Sequence, residues 1–195
     1  MKQYWDEHYE KFRIIEPSKF ARFVQQFLEM YETVLDLGCG NGRDSQFFYN
    51  LDTVSEVRGC DSSSKALDLC DDHIDKFYLD VTKDTKLLIN LLKRSSIIYC
   101  RFLLHALPPK NQISLLHTIC ESINMYTKVF IECRSETYEY IDYTYGEHER
   151  YLVNATLITN IFNNYGITNI TDVQKNRAIF KNEDPPIIWS VGIKQ

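Results

Sequence analysis

Three glycines at alternate positions, directly behind a short apolar run, constrain this chain more than any other stretch. The run is Val34-Leu35-Asp36-Leu37, the glycines are Gly38, Gly40 and Gly42, and Arg43-Asp44 follow. Apolar residues around a single acid read as a buried parallel strand, and the helix formers after Gly42 read as a helix starting near Arg43. Glycine lets the intervening backbone take positive φ and approach a ligand closely. The helix start behind the turn presents N–H groups that favour a negative group on that ligand.

The spacing narrows the ligand. A dinucleotide turn asks for G-x-G-x-x-G. Here the pattern is Asp36-x-Gly38-x-Gly40-x-Gly42, with an acid two residues before the first glycine. In this form the stretch resembles the first motif of the class I S-adenosylmethionine-dependent methyltransferases. A generic Rossmann-type turn for another nucleotide is the alternative. The resemblance implies that Gly38 and Gly40 wrap the amino-acid and ribose part of the cofactor, with Asp36 near its methionine ammonium. A ribose also needs a carboxylate at the end of the next strand, about twenty residues on. Val57-Arg-Gly-Cys-Asp61 supplies one, and Ser62 to Ser64 cap a helix that begins near Lys65. Phe77-Tyr-Leu-Asp80 ends in a third acid, which the resemblance sets against the adenine amino group, with the N–H of Val81 on the ring. Asp61 or Asp80 alone could be a plain helix cap, but three acids ending three successive strands form a pattern. Ser62 joins them as a cofactor contact.

At 195 residues the chain is read as one domain, 1–195, with an N-terminal helical lid or cap over 1–30 and a Rossmann-like core over 31–195. A net charge of −5 and a pI near 5.6 give no electrostatic footprint for duplex nucleic acid. The six cysteines, Cys39, Cys60, Cys70, Cys100, Cys120 and Cys133, include no C-x-x-C pair. They read as buried thiols in a reducing compartment, with no metal expected. The start, Met1-Lys-Gln-Tyr-Trp-Asp-Glu-His8, is polar and aromatic rather than signal-like, so a cytoplasmic setting is expected. No apolar run reaches membrane-spanning length. The oligomeric state is not legible.

Residues 2–16 carry Tyr4, Trp5, Tyr9 and Phe12. They read as an amphipathic helix, either packed on the domain or closing over the active site. The second reading uses Trp5 and Tyr9, because thiopurine- and tellurite-resistance-type methyltransferases often begin with a similar aromatic segment. A helix opens at Pro17, and Phe20, Phe23, Val24, Phe27 and Leu28 form its core stripe. Strands are predicted near 33–37, 56–60 and 76–79, and helices near 43–51, 64–72 and 84–93.

The fourth strand ends near Cys100 or Arg101, where ligands sit in such sheets. Enzymes that methylate nucleic-acid amino groups commonly carry N/D-P-P-Y/F here, and this chain does not. Its Tyr99-x-Arg101-Phe102-x-x-His105-Ala106 resembles a subset of small bacterial methyltransferases, several attached to surface-polysaccharide synthesis. Arg101 then touches cofactor or substrate, and His105 is either a general base or a packing histidine. A helix near 110–123 leads to a fifth strand, Lys128 to Arg134. Residues 135–151 hold five tyrosines, a connection long enough to suggest function. Glu132, Arg134, Ser135, Gly146, His148, Arg150 and Tyr151 match an arrangement seen in the same subset. Arg134, His148, Arg150 and Tyr151 are therefore candidate substrate residues, and a solvated loop is the plainer alternative. A helix near 152–164 and strands near 167–173 and 187–194 complete the chain.

The expected fold is α/β: a Rossmann-like, seven-stranded methyltransferase sheet, mostly parallel, with a C-terminal antiparallel hairpin. The expected activity is methyl transfer from S-adenosyl-L-methionine to a small-molecule substrate. An anionic or hydroxylated acceptor is favoured, such as a sugar, a nucleotide-linked sugar or a phosphoramidate-type group of a bacterial capsule. The alternatives are a thiol or metalloid-oxyanion methyltransferase, and a non-catalytic cofactor-binding partner subunit.

Overall fold

The computed structural model describes residues 2–11, 15–136, 150–174 and 186–195. Its strands are β1 (Glu32–Leu37), β2 (Val54–Asp61), β3 (Asp75–Tyr78), β4 (Ile97–Arg101), β5 (Lys128–Arg134), β6 (Ile167–Gln174) and β7 (Ile187–Lys194). Its helices are α1 (Lys2–Lys11), α2 (Lys19–Val24), α3 (Arg43–Tyr49), α4 (Ser64–Leu67), α5 (Thr85–Lys93), α6 (Pro109–Ser122) and α7 (Ala155–Asn164). The strands make one sheet in the order β3-β2-β1-β4-β5-β7-β6. The first five strands run parallel, and β7 lies antiparallel between β5 and β6. The sheet and its closing antiparallel pair are as expected from the sequence. Strand order reverses between β1 and β4, so the crevice for a ligand opens at their carboxyl ends.

Both faces of the sheet are buried, which is why β1 reads as an almost continuous apolar run. On one face Leu35 and Leu37 pack with Leu88, Leu91 and Leu92 of α5, Leu116 and Ile119 of α6, and Ile158 and Phe162 of α7. On the other, Val34, Tyr99 and Phe130 pack with Phe20 and Val24 of α2, Phe48 of α3 and Trp189 of β7.

Two helices are shorter than expected. The α2 helix tightens into a 3-10 turn at Gln25–Phe27 and becomes extended at Leu28. It packs into the core: Phe20, Ala21 and Val24 are fully buried. The α4 helix makes a single turn. Beyond it Leu69 and Cys70 donate to carbonyls only three residues back, and the Asp71 side chain accepts the N–H of His73, an alternative to helix that Asp offers readily.

One buried carboxylate locks α2, α3 and β4 together. Asp44, in the first turn of α3, accepts the backbone N–H of Ser18 at 2.8 Å, the Ser18 hydroxyl at 2.8 Å and the Tyr99 hydroxyl at 2.8 Å. Ser18 in turn caps α2 by accepting the N–H of Ala21. Burial would raise the Asp44 carboxyl, but Arg43, Arg101 and these donors hold it below the usual carboxylate range. A depressed native value stabilises the fold above the unfolded-state pKa, and that contribution is lost as pH falls through the native one. Asp44→Ala strands the Ser18 and Tyr99 donors and should cost about 3–5 kcal/mol. Denaturant melts at pH 7 measure this, and the gap to the parent should shrink below about pH 4, where the parent carboxyl protonates too.

Candidate active site

The carboxyl ends of β1, β2 and β4 open into one cavity of about 860 Å³, a size suited to a cofactor and a small substrate together. The glycine turn forms its floor. Gly38, Gly40 and Gly42 all take positive φ, at 73°, 58° and 73°. The N–H groups of Gly38 and Cys39 donate to the Cys60 carbonyl at 2.9 and 3.0 Å, which ties the turn to β2. Asp61 then bridges the turn and the next helix: one oxygen accepts the N–H of Gly40 at 2.9 Å and the other that of Ser63 at 2.9 Å. Burial raises the Asp61 carboxyl above its ordinary value, against the pull of these backbone donors.

Asp36, Gly38, Asp61, Ser62, Asp80, Val81 and Arg101 all line this cavity. Gly40 does not, because its open face is covered: a Cβ there would fall 2.1 Å from the Tyr9 hydroxyl. Asp36 accepts the Ser45 hydroxyl at 2.6 Å. Burial pushes its carboxyl up to about 7, with Asp44 and Asp61 adding to the rise and the Ser45 bond opposing it. Asp80 lies two residues past the end of β3, in a turn of its own making. It accepts the N–H and hydroxyl of Thr82 at 3.0 and 2.6 Å and pairs with Lys83 at 2.7 Å. These partners hold its carboxyl below the usual value, although burial works the other way. The residues fit S-adenosylmethionine: a glycine turn open to the cavity at Gly38, a carboxylate at the end of β2 for ribose hydroxyls, and Asp80 and Val81 at the far wall.

The cavity wall also carries basic side chains. Arg101, His105, Arg134 and Arg150 line it. Arg101 pairs with Glu132 and stands 4.2 Å over the Phe102 ring. The other Glu132 oxygen accepts the Trp189 indole N–H at 2.9 Å, so this acid is engaged by Arg101 and Trp189. Phe102 takes φ of 58°, a rare conformation for a bulky residue, and it turns the chain so that His105 faces the cavity. Nδ1 of His105 accepts the backbone N–H of Arg134 at 3.2 Å. The proton of the neutral ring therefore sits on Nε2. A base would need its lone pair there, so in this geometry the neutral ring presents an N–H at Nε2. Tyr151 does not line the cavity: its N–H donates to the His105 carbonyl at 2.8 Å and its carbonyl accepts from Gln112 at 2.7 Å. Gly146, Glu147, His148 and Glu149 lie outside the described residues.

Helix α1 covers the glycine turn. Asp6 accepts the Ser63 hydroxyl at 2.5 Å, and Glu10 pairs with Lys65 at 3.6 Å. Tyr4, Trp5, His8 and Tyr9 present rings to the cavity, in mutual contact. Arg150 reaches this cluster: burial lowers the His8 pKa and the Arg150 charge lowers it further. The sequence reading singled out Trp5 and Tyr9 and missed Tyr4 and His8, although 4, 5, 8 and 9 share one face of a helix. It also missed Asp44 and Tyr99, whose only signal was an acid placed directly after the glycine turn.

Residues 34–124 match a family model described as a methyltransferase domain. No curated protein matches the chain. Among solved structures, a SAM-dependent methyltransferase from Anabaena variabilis is 17% identical, with a TM-score of 0.72 over 100% of this chain and 93% of that one. A TehB-like SAM-dependent methyltransferase from Corynebacterium glutamicum is 13% identical, with a TM-score of 0.65 over 91% and 88%. Haemonchus contortus phosphoethanolamine N-methyltransferase 2, in complex with phosphomonomethylethanolamine and S-adenosylhomocysteine, is 13% identical, with a TM-score of 0.70 over 93% of this chain and 54% of that one. Among the described residues no helix is long and apolar enough to cross a membrane.

The raised Asp36 value has a stability consequence with a definite sign. A carboxyl whose native pKa lies above the unfolded one costs stability as pH rises between the two, here from about 4 to about 7. Asp36→Asn removes that cost and keeps an acceptor for Ser45. Without ligand, the variant should melt about 2–4 °C above the parent at pH 8 for each kcal/mol recovered, and the gap should narrow towards pH 4. Scanning fluorimetry across pH checks it; a variant less stable than the parent at pH 8 contradicts it.

Proposed function

We propose that this enzyme, an S-adenosylmethionine-dependent methyltransferase, passes the methyl group to a small acceptor that bears an anionic group. One observation supports the reading: Arg134 and Arg150 line the same cavity as Asp36, Asp61 and Asp80. Bound cofactor supplies an electrophilic methyl on a sulfonium. Asp61 and the Gly38–Gly42 turn would hold its ribose and amino-acid part, Asp36 would face its ammonium, and Asp80 and Val81 would meet the adenine. Arg134 and Arg150 would orient the acceptor, since a planar guanidinium meets phosphate or carboxylate with two hydrogen bonds. His105 would donate from Nε2 to the same group.

The donor role of His105 favours a particular acceptor atom. A hydroxyl nucleophile must lose a proton, and His105, whose Nδ1 already accepts the Arg134 N–H, offers no lone pair to take it. An oxygen of a phosphate, phosphoramidate or carboxylate group is ionised at neutral pH and needs no base. A metalloid oxyanion meets the same condition and is the second reading. The Haemonchus contortus neighbour, with its phosphate-bearing acceptor, supports only that this fold can accommodate such a group. The capsule setting, with a sugar or nucleotide-linked sugar as carrier, rests on the resemblance around Arg101, His105 and Arg134. The six buried thiols fit a cytoplasmic site of action.

The test is a radiolabelled methyl-transfer screen of phosphate, phosphoramidate and carboxylate compounds, each beside its neutral counterpart. Only the anionic members should turn over. Arg150→Ala should raise acceptor KM by about 10- to 100-fold, the loss of a charged hydrogen bond of about 1.5–3 kcal/mol. Its affinity for S-adenosylhomocysteine should be unchanged. A neutral compound as the best acceptor, or an unmoved KM, would rule the anionic reading out.

Helix α1 has its own test. We infer that it closes over bound cofactor through Trp5 and Tyr9. Removing residues 1–12 should leave a folded core, because Phe20, Ala21 and Val24 stay in place, while turnover falls by at least about a hundredfold as water enters the site. Normal turnover in the truncated protein, with an unchanged melting temperature, would reduce α1 to packing.

A further inference from the structure

Two thiols meet beneath the glycine turn. Cys39 stands between Gly38 and Gly40, and Cys70 lies three residues past α4. The Cys70 side chain beside it, together with burial, pushes the Cys39 thiol well above its ordinary value. Both sulfurs also reach the Gly40 carbonyl oxygen, at 3.7 and 3.4 Å. With Leu67 they form a small cluster separate from the two main core layers. Cys39 lines the cavity, whereas Cys70 is packed behind it against Gly42, where a Cβ would fall 2.7 Å from its sulfur.

We propose that Cys39 and Cys70 are a modification site: they form a reversible disulfide that deforms the cofactor turn, so that oxidation and cofactor binding oppose each other. The oxidant is a peroxide. Hydrogen peroxide takes two electrons from the Cys39 sulfur, giving the sulfenic acid and one water. The Cys70 sulfur then attacks Cys39, the S–S bond forms, and the hydroxyl leaves with the Cys70 proton as a second water. Cys39 reacts first because it faces the cavity, and Cys70 resolves it. Burial and the contact with Cys70 keep the Cys39 thiol protonated, which makes the reaction slow.

Drawing two sulfurs from contact to bond distance cannot leave the turn in place. Cys39 is wedged against Gly59, where a Cβ would fall 3.0 Å from its sulfur, and Cys70 is wedged against Gly42. Movement of Cys39 carries the adjoining Gly40 N–H away from Asp61. Cofactor in the cavity also covers the approach to Cys39. The coupling is reciprocal: the factor by which oxidation weakens cofactor binding is the factor by which bound cofactor disfavours the disulfide.

The experiment treats the reduced full-length protein with hydrogen peroxide, with and without S-adenosylhomocysteine, and maps cysteines by mass spectrometry without reductant. A Cys39–Cys70 cross-link is expected, two hydrogens lighter and reversed by dithiothreitol, and slower to form with S-adenosylhomocysteine present. Calorimetry should show the Kd for S-adenosylhomocysteine raised about tenfold or more in the oxidised protein. Cys70→Ser, or Cys70→Ala should the first not fold, should show neither change. Cross-links confined to other cysteines, or a Cys39–Cys70 bond that leaves the Kd unmoved, would overturn the proposal. Because it rests on the cofactor reading, the controls separate the two failures. Reduced protein that does not bind S-adenosylhomocysteine fails both, and reduced protein that binds it but forms no link fails only this one.

Discussion

Everything that positions the site depends on a buried carboxylate with enough donors. Asp44 accepts from Ser18 and Tyr99, residues 26 and 55 positions away in sequence, and so joins the start of α2, the first turn of α3 and the middle of β4. An isolated carboxylate in such a place would cost several kcal/mol. Two hydroxyls, a backbone N–H and the nearby Arg43 and Arg101 reverse that cost. The glycine turn is then held from both ends, by Asp44 behind it and by Asp61 across from it.

The three carboxylates around the turn are not equivalent, and their surroundings explain why. Asp44 has cations and donors and stays ionised. Asp61 has backbone donors only, and its pKa rises. Asp36 has one hydroxyl and two acidic neighbours, and its rise is large enough to reach neutrality. A cationic ligand lowers the cost of all three charges at once, and the ammonium and sulfonium of S-adenosylmethionine are such charges. Without a ligand the site stores repulsion that binding relieves.

The sheet was legible because the central strands β1, β4 and β5 are buried on both faces, and because β1 runs into the glycines and β2 ends in Asp61. The parallel order, the closing antiparallel pair and seven of the eight expected cofactor residues on the cavity wall follow from that local pattern. Gly40 was placed on the wall and lies under Tyr9 instead. What the sequence hid was tertiary. Nothing local says that Asp44 faces Tyr99, that Glu132 takes Arg101 and Trp189, or that the Arg134 N–H occupies the lone pair of His105. The helix ends failed for a similar reason: the run 64–72 has helical composition, but Asp71 prefers its own turn once Leu67 and Cys70 are buried. Tyr151 was assigned to substrate from a motif, and the structure uses its backbone to pin His105.

The cap and the cofactor contend for one place. The room above Gly40 is filled by the Tyr9 phenol, buried against Asp61, Cys39 and Asp36. Helix α1 also meets the core through a Ser63–Asp6 hydrogen bond and a Lys65–Glu10 pair whose side chains are 54% and 57% exposed. An exposed pair of that kind contributes about 0–1 kcal/mol. The Tyr9 and Trp5 rings line the same cavity. A cofactor that offers those rings new apolar and hydrogen-bonding partners can move them without breaking the scaffold beneath.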